Sequence, residues 1–165
     1  MNLVVLTLSV LMLAAQSTDT TKVESTFDKK INFGALRTYS WAAGYNAYRP
    51  DVHKAIVDAL DAELAGVGLK KVTSGADVTI AYYTVASTEV DLKSLEKLQR
   101  EGRSADAPSK TLGRLVVMMR KPGAEERVWQ ASTREFIDPD PAKLDAAIRA
   151  IVVRLFTTYP TRAAK

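Results

Sequence analysis

Cysteine is absent from the 165 residues of the sequence. Disulfide bonds, thiolate metal sites and cysteine nucleophiles are therefore excluded. The chain has one histidine, His53, and no G-x-S-x-G motif that would present a nucleophilic serine to it. Its glycines have neither the spacing nor the lysine of a phosphate-binding loop. We predict no catalytic residue, no metal site and no cofactor, and we interpret His53 as a partly buried packing residue.

Charged residues make up 25% of the chain and leave a net charge of +4, without a cluster that indicates a ligand. Nucleic-acid binding needs basic residues interleaved with aromatic ones, and the arginines near the C terminus are spread out, so we predict no nucleic-acid partner. Asp51, Asp58 and Asp61 fall on one face of a predicted helix, together with Lys54, which would repel a cation. We interpret this acidic stripe as a solvated helix face.

The apolar run Leu3–Ala15 precedes the polar segment QSTDTTK. It is shorter than the roughly 20 residues that cross a bilayer, and it ends in small residues, as a signal peptide does before its cleavage site. We predict a signal peptide at 1–15, a disordered leader at 16–22 and a periplasmic or secreted protein with no stable membrane span after cleavage. Because no lysine or arginine precedes the run, an uncleaved anchor or a start upstream of Met1 remains an alternative.

Periodicity divides the rest of the chain into strands and helices. Strands are predicted at 23–28, at 38–41 and from about Asp77 to Val85, with a shorter strand and a turn at Ser74-Gly75 between the last two. A helix is predicted from Pro50 to about Val67 because its apolar residues recur every three to four positions. Residues 88–110 are charged and are interpreted as an insertion or loop that contains a short helix capped by Thr88.

The stretch LVVMMRKPGAEERVWQASTREF, residues 115–136, predicts a β-hairpin. Pro122 and Gly123 suit the centre of a type II turn. Alternation on the second strand places Trp129, Ala131 and Thr133 toward the core, and Val128, Gln130, Ser132 and Arg134 toward solvent.

A C-terminal helix is predicted to begin with Asp140 as its cap and Pro141 as its first residue, and to end at Pro160. The elements together predict an α+β fold. We expect a two-layer sandwich in which two long helices cover one face of a largely antiparallel sheet of about six strands. A single domain at 23–160 and a tail at 161–165 complete this organisation.

Four segments carry a resemblance to a known family: LRTYSWA, GLKKVTSGADVTIAYY, GRLVVMMRKPGAEERVWQAS and FTTYP. Their order and spacing resemble the bacterial envelope family catalogued as domain of unknown function 4136, over most of residues 23–160. The resemblance implies an envelope location, since members are often lipoproteins, and it supplies no catalytic motif. Gln16 stands where a lipoprotein cysteine would lie, and the 88–110 segment is charged where the family is often rich in glycine and aromatic residues.

We therefore expect a non-enzymatic, exported cell-envelope protein that binds an envelope protein or polymer. The loop WAAGYNAYRP is the candidate binding site because its aromatic residues could hold a glycan, a peptide or a lipid. Its candidate ligand-binding residues are Trp41, Tyr45 and Tyr48. The alternatives are a small-ligand carrier and a hydrolase that uses His53.

Overall fold

The computed structural model describes residues 22–44, 47, 49–103, 109–136 and 140–163. The predicted signal peptide, all but the last residue of the predicted leader, and two of the candidate ligand-binding residues, Tyr45 and Tyr48, lie outside these residues.

The described residues form six strands and four α-helices. The strands are β1 (Glu24–Phe27), β2 (Thr38–Trp41), β3 (Lys70–Lys71), β4 (Val78–Val90), β5 (Ser109–Arg120) and β6 (Arg127–Phe136). The helices are α1 (Pro50–Gly66), α2 (Leu92–Arg100), α3 (Pro141–Phe156) and α4 (Pro160–Ala163), and a 3-10 turn spans Phe33–Ala35. No helix within the described ranges is long and apolar enough to cross a membrane.

The strands make one sheet in the order β1-β6-β5-β4-β2-β3. The neighbours from β1 to β4 are antiparallel, whereas β2 runs parallel to both β4 and β3. The parallel pairing arises because α1 connects β2 to the strands that follow, and a helical crossover returns the chain in the same direction. The predicted α+β class and its largely antiparallel sheet are confirmed.

The core lies between one face of the sheet and the two long helices. Alternate strand residues such as Ile80, Tyr82 and Val117 meet the apolar stripes of α1 and α3. Leu60 and Phe156, one from each helix, are fully buried there. In both helices the apolar residues recur at helical spacing, and the face that they form packs against the sheet.

The predicted turn is confirmed, and α1 ends at Gly66, next to the predicted end at about Val67. The amide of Ala124 donates to the carbonyl of Lys121 across 3.2 Å, and Gly123 has a φ of +69°, as position i+2 of a type II turn requires. Gly68, with a φ of +91°, follows the C-terminus of α1.

The predicted alternation of β6 is only partly correct. Trp129, Ala131 and Thr133 are buried, but Val128 and Ser132, which were predicted to face solvent, are buried too. A bulge explains Val128, since the register shifts between Met119 and Arg120 and a bulge turns two successive side chains toward one face. Ser132 lies on an interior strand between β1 and β5, where a guanidinium nitrogen of Arg114 lies 3.3 Å from its hydroxyl oxygen.

Two predicted boundaries are wrong. Thr88 does not cap a helix: it lies within β4 and pairs with Thr111 of β5, because cross-strand pairing extends β4 to Val90. Asp91 caps α2 instead, accepting a hydrogen bond from the amide of Ser94 across 3.4 Å. At the C terminus, α3 ends at Phe156, and Pro160 begins α4 rather than ending α3.

Candidate apolar groove

A groove of about 570 Å³ opens between α1 and α3 at the end of the sheet where α1 begins. Aliphatic side chains of the two helices form its walls, and strands β4, β5 and β6 form its floor. The principal wall residues are Val52, Ile56, Leu144, Ile148 and Ile151, and the principal floor residues are Thr84, Leu115 and Thr133.

Small residues leave this groove unfilled. Ala86, Gly113 and Ala147 all line it, and none of them carries a side chain long enough to fill the space between the helices and the sheet. The strands also continue past the packed core, since the β4–β5 pairing extends to Val90–Ser109. Helices packed over large residues would have closed the same space, as they do around Leu60 and Phe156.

The charged residues at the rim of the groove have partners. Arg49 pairs with Asp51, and this guanidinium holds the pKa of the Asp51 carboxyl below its usual value through a hydrogen bond. Arg114 lies 3.6 Å from Glu24, and Glu135 pairs with Arg154. Because these charges are compensated, the groove has the chemistry of an apolar binding site with a neutralised rim.

Tyr82 holds the loop that borders the groove. Its hydroxyl oxygen accepts a hydrogen bond from the amide of Ala47 across 3.1 Å. A Cβ atom at Gly44 would lie 2.6 Å from the Tyr82 carbonyl oxygen, so only glycine allows this close approach of the loop. Ala47 and Arg49, which both line the groove, therefore belong to a loop anchored on β4.

His53 packs against the ring of Tyr82. Their rings stack at 5.8 Å, and Nδ1 of His53 lies 2.5 Å from the Tyr82 hydroxyl oxygen. Burial raises the pKa of the Tyr82 hydroxyl, so the hydroxyl keeps its proton and can donate it to Nδ1. His53 is thus half-buried and packed against Tyr82, and this position makes it a support for the loop.

Trp41 is half-buried on β2 and faces α1 rather than the groove. Its indole Nε1 donates to Oδ1 of Asp61 across 3.0 Å, and the hydroxyl of Tyr39 donates to the same oxygen across 2.7 Å. Nζ of Lys71 lies 2.9 Å from the other oxygen, Oδ2. The Asp61 side chain is therefore only 29% exposed, and the prediction that it belongs to a solvated stripe is wrong.

The remaining members of the stripe agree with the predicted solvated face. Asp51 pairs with Arg49 and Asp58 pairs with Lys54, all at exposed positions. Within the part of the chain that the structure describes, no group of three or more histidine, aspartate or glutamate side chains is placed to hold a metal ion.

Replacing Asp61 by alanine is expected to lower the free energy of unfolding by about 2–3 kcal/mol, because the buried Tyr39 hydroxyl loses its acceptor. The Asp61→Asn variant keeps an acceptor oxygen and should lose less than half as much. Urea denaturation of both variants measures the difference, with Asp58→Ala as an exposed control that should hardly change. Equal losses in the alanine and asparagine variants would show that the charge, rather than the acceptor, stabilises this site.

The sequence therefore predicted the loop WAAGYNAYRP as a binding site but did not predict the groove beside it. Two loop residues, Ala47 and Arg49, line the groove, whereas Trp41 is engaged with Asp61. Most of the lining comes from α3 and from strands β4, β5 and β6, where the sequence predicted no binding site. Their small residues are visible in the sequence, but only the tertiary arrangement shows that Ala86, Gly113 and Ala147 line the same groove.

A two-layer α+β domain with an apolar groove is the class of protein that these observations define. A family model described as "Domain of unknown function (DUF4136)" matches residues 23–161. The chain belongs to this family, which confirms the resemblance carried by the four sequence segments. No curated protein matches the sequence.

Several solved structures share the fold. The crystal structure of a DUF4136 family protein from Bacteroides thetaiotaomicron has a TM-score of 0.61 at 16% identity, over 89% of this chain and 100% of that one. A PDZ domain protein from Parabacteroides distasonis has a TM-score of 0.59 at 13% identity, over 85% of this chain and 35% of that one, so the chain spans about a third of that protein. The PelC dodecamer from Paraburkholderia phytofirmans has a TM-score of 0.52 at 10% identity, over 82% of this chain and 94% of that one.

Proposed function

We propose that this chain is an exported, non-enzymatic cell-envelope protein that holds an acyl chain of an envelope lipid in the groove between α1 and α3. The groove is the observation that carries the proposal. Its volume of about 570 Å³ falls within the range of roughly 300–1,000 Å³ that small-molecule sites occupy. Its walls are aliphatic along both helices.

The chemistry of the lining favours an acyl chain over a glycan or a peptide. A glycan or a peptide backbone needs several donors and acceptors, because a polar group buried without a partner is costly. The charged rim groups Arg49, Arg114 and Glu135 are already engaged with Asp51, Glu24 and Arg154. An acyl chain needs only apolar contact, which Val52, Ile148 and Ile151 supply.

The location rests on two observations. The run Leu3–Ala15 has the length and the small C-terminal residues of a signal peptide, and the chain belongs to a family whose resemblance already implied an envelope location. An envelope lipid is accordingly the partner we propose, in place of the protein or polymer that the sequence favoured.

A non-enzymatic role is supported by the surroundings of His53. Within the described residues, the hydrogen-bond partner of the His53 side chain is Tyr82. A hydrolase of the Ser-His-Asp type would need one ring nitrogen of its histidine to contact a serine and the other to contact an acidic residue. The described contacts of His53 serve the position of the loop that borders the groove.

Filling the groove tests the binding proposal. Ala147 lies on its wall, whereas the neighbouring Ala146 is an exposed residue outside the lining. Wild-type protein should bind the fluorescent fatty acid cis-parinaric acid saturably at one site. Ala147→Trp should weaken this binding at least about tenfold, since the indole occupies the space of the ligand, and Ala146→Trp should leave it unchanged.

The protein should be isolated from the periplasm for this titration, and its intact mass should be measured first. A mass that corresponds to a chain beginning at Gln16, or within a few residues of it, supports export with removal of the signal peptide. Full-length protein in the membrane fraction would contradict that part of the proposal. Absence of saturable binding, or equal binding by the two tryptophan variants when circular dichroism shows both to be folded, would contradict the groove as the site.

A further inference from the structure

The hairpin tip, which we define as residues 88–103 and 109–111, carries helix α2 at the end of β4 and β5. The pairing of β6 with β5 stops at Leu112, so the last pairs of the tip, Thr88–Thr111 to Val90–Ser109, extend beyond β6. No residue of α2 is buried. Because no residue of this helix belongs to the buried core, core packing does not explain why the exposed Leu92 is apolar.

Apolar side chains are exposed at the tip. Leu92 is 66% exposed and Val90 is 51% exposed. Leu95, one turn further along α2, is half-buried. These aliphatic residues continue from the end of β4 onto the first turn of α2 and leave a small apolar surface open.

Basic residues border this surface. At 100° per residue, Arg100 and Lys93 lie about 80° and 100° around the helix from Leu92. Lys97 lies close to Lys93 on the same side, and with Glu96 as the one acidic residue of the helix, α2 carries a net charge of +2. Two acidic residues lie at the end of β4: Glu89 pairs with Arg134, and Asp91 is buried as the cap of α2. Lys97 and Arg103 both lie within 4.0 Å of Glu101 at highly exposed positions, where ion pairs contribute little.

We infer that α2 and the end of β4 form a docking surface for an anionic lipid membrane. An exposed aliphatic strip beside lysine and arginine is the pattern of helices that lie in a membrane interface, where the apolar side chains insert and the cations contact lipid phosphates. The inference rests on the hairpin tip alone and holds whether or not the groove binds an acyl chain.

The size and composition of the surface favour a membrane over a protein partner. The helix has nine residues and is therefore only about 13 Å long, whereas a stable protein interface buries roughly 1,000 Å² or more and is enriched in aromatic residues. The apolar residues here are Val90, Leu92, Leu95 and Leu98, which are all aliphatic. Binding to a membrane requires no minimum interface area. Attraction between the basic side chains and lipid phosphates, together with insertion of the apolar side chains, would give weak and reversible binding.

Sedimentation with vesicles of phosphatidylglycerol or phosphatidylcholine tests this inference on the protein recovered from the periplasm. We expect binding to the anionic vesicles that exceeds binding to the zwitterionic ones and weakens as salt is raised. Since each cation near the surface contributes a factor of about five, the double variant Lys93→Gln, Lys97→Gln should reduce the partition coefficient more than tenfold. The double variant Lys29→Gln, Lys30→Gln, in an exposed turn of the body, is the matched control and should change it less than threefold.

Two further variants separate docking from loss of folding. Glu96→Gln removes the acidic residue of α2 and should strengthen binding to phosphatidylglycerol about fivefold, a gain that a damaged fold would not produce. Leu92→Ser should weaken binding several-fold, whereas Val153→Ser, at an exposed apolar residue of α3, should not. Equal binding to the two vesicle types would overturn the inference, and so would equal effects of the two lysine pairs. A concentration-dependent dimer that only Leu92→Ser dissociates would also overturn it, and would indicate that the surface binds a second copy of this chain.

Discussion

Replacing Trp129 by alanine is expected to lower the free energy of unfolding by about 3–5 kcal/mol, the range for truncating a fully buried large aromatic residue. The Trp129 side chain is 0% exposed. Its ring centroid lies 5.3 Å from that of Phe156 and 5.6 Å from that of Tyr159. The indole thus packs β6 against the C-terminal end of α3, and alanine would leave a cavity between the sheet and the helices. Urea denaturation gives the free energy directly.

Phe27 provides a matched control for Trp129. The two residues are opposite each other in the β1–β6 register, but Phe27 is 45% exposed, so Phe27→Ala should cost only about 1 kcal/mol. Trp129→Phe should also cost less than alanine, because the buried indole Nε1 has no acceptor among the described residues and its loss leaves no group unsatisfied. A loss below about 1 kcal/mol in Trp129→Ala would mean that the register of β6 is shifted by one residue.

The sequence could predict those parts of the fold that depend on local patterns of residues. Helices α1 and α3 follow from apolar residues at helical spacing, and both begin at a proline that a sequence can show. The turn of the hairpin follows from Pro122-Gly123, since only glycine readily takes the positive φ at the second position. The inward direction of Trp129 follows from alternation along β6. Each of these features depends on residues that are close together in the chain.

The features that were mispredicted depend on residues distant in the chain. Val128 is buried because a bulge disturbs the pairing with β5, and alternation along β6 alone cannot show a bulge. Thr88 lies in a strand because Thr111 pairs with it across the hairpin. Asp61 looks like a solvated acid on its own helix, and it becomes an acceptor only when β2 brings Tyr39 and Trp41 to it.

The candidate site was likewise predictable only in part. Aromatic composition indicated the loop that contains Trp41, and part of this loop does border the groove through Ala47 and Arg49. The groove itself is a space that α1, α3 and three strands leave between them, so no local pattern describes it. Small residues such as Gly113 and Ala147 have this role only because the sheet and the helices bring them together.

High pH is expected to destabilise the protein through its buried tyrosines. Burial raises the pKa of Tyr159 to about 12, and burial together with the hydrogen bond to Asp61 raises the pKa of Tyr39 as well. In the unfolded chain both hydroxyls ionise near pH 10. Above that pH the unfolded chain releases protons that the folded chain retains, so the stabilisation is fully present below about pH 10 and is lost as the pH rises through the folded pKa.

Tyr159 alone should account for about 2 kcal/mol of this loss by pH 12, since its pKa is raised from about 10 to about 12, each pKa unit corresponds to about 1.4 kcal/mol, and the folded hydroxyl is itself half ionised at pH 12. Urea denaturation between pH 8.5 and 12 should therefore show a steeper decline for the wild type than for Tyr159→Phe, which has no hydroxyl to ionise. Near neutral pH the Tyr159→Phe variant should be at least as stable as the wild type. The Tyr159 hydroxyl is buried without a hydrogen-bond partner in the described part of the chain, so its removal also removes the cost of desolvating it. Parallel declines in the two proteins would show that Tyr159 ionises equally well in the folded state, and would place its hydroxyl in contact with water.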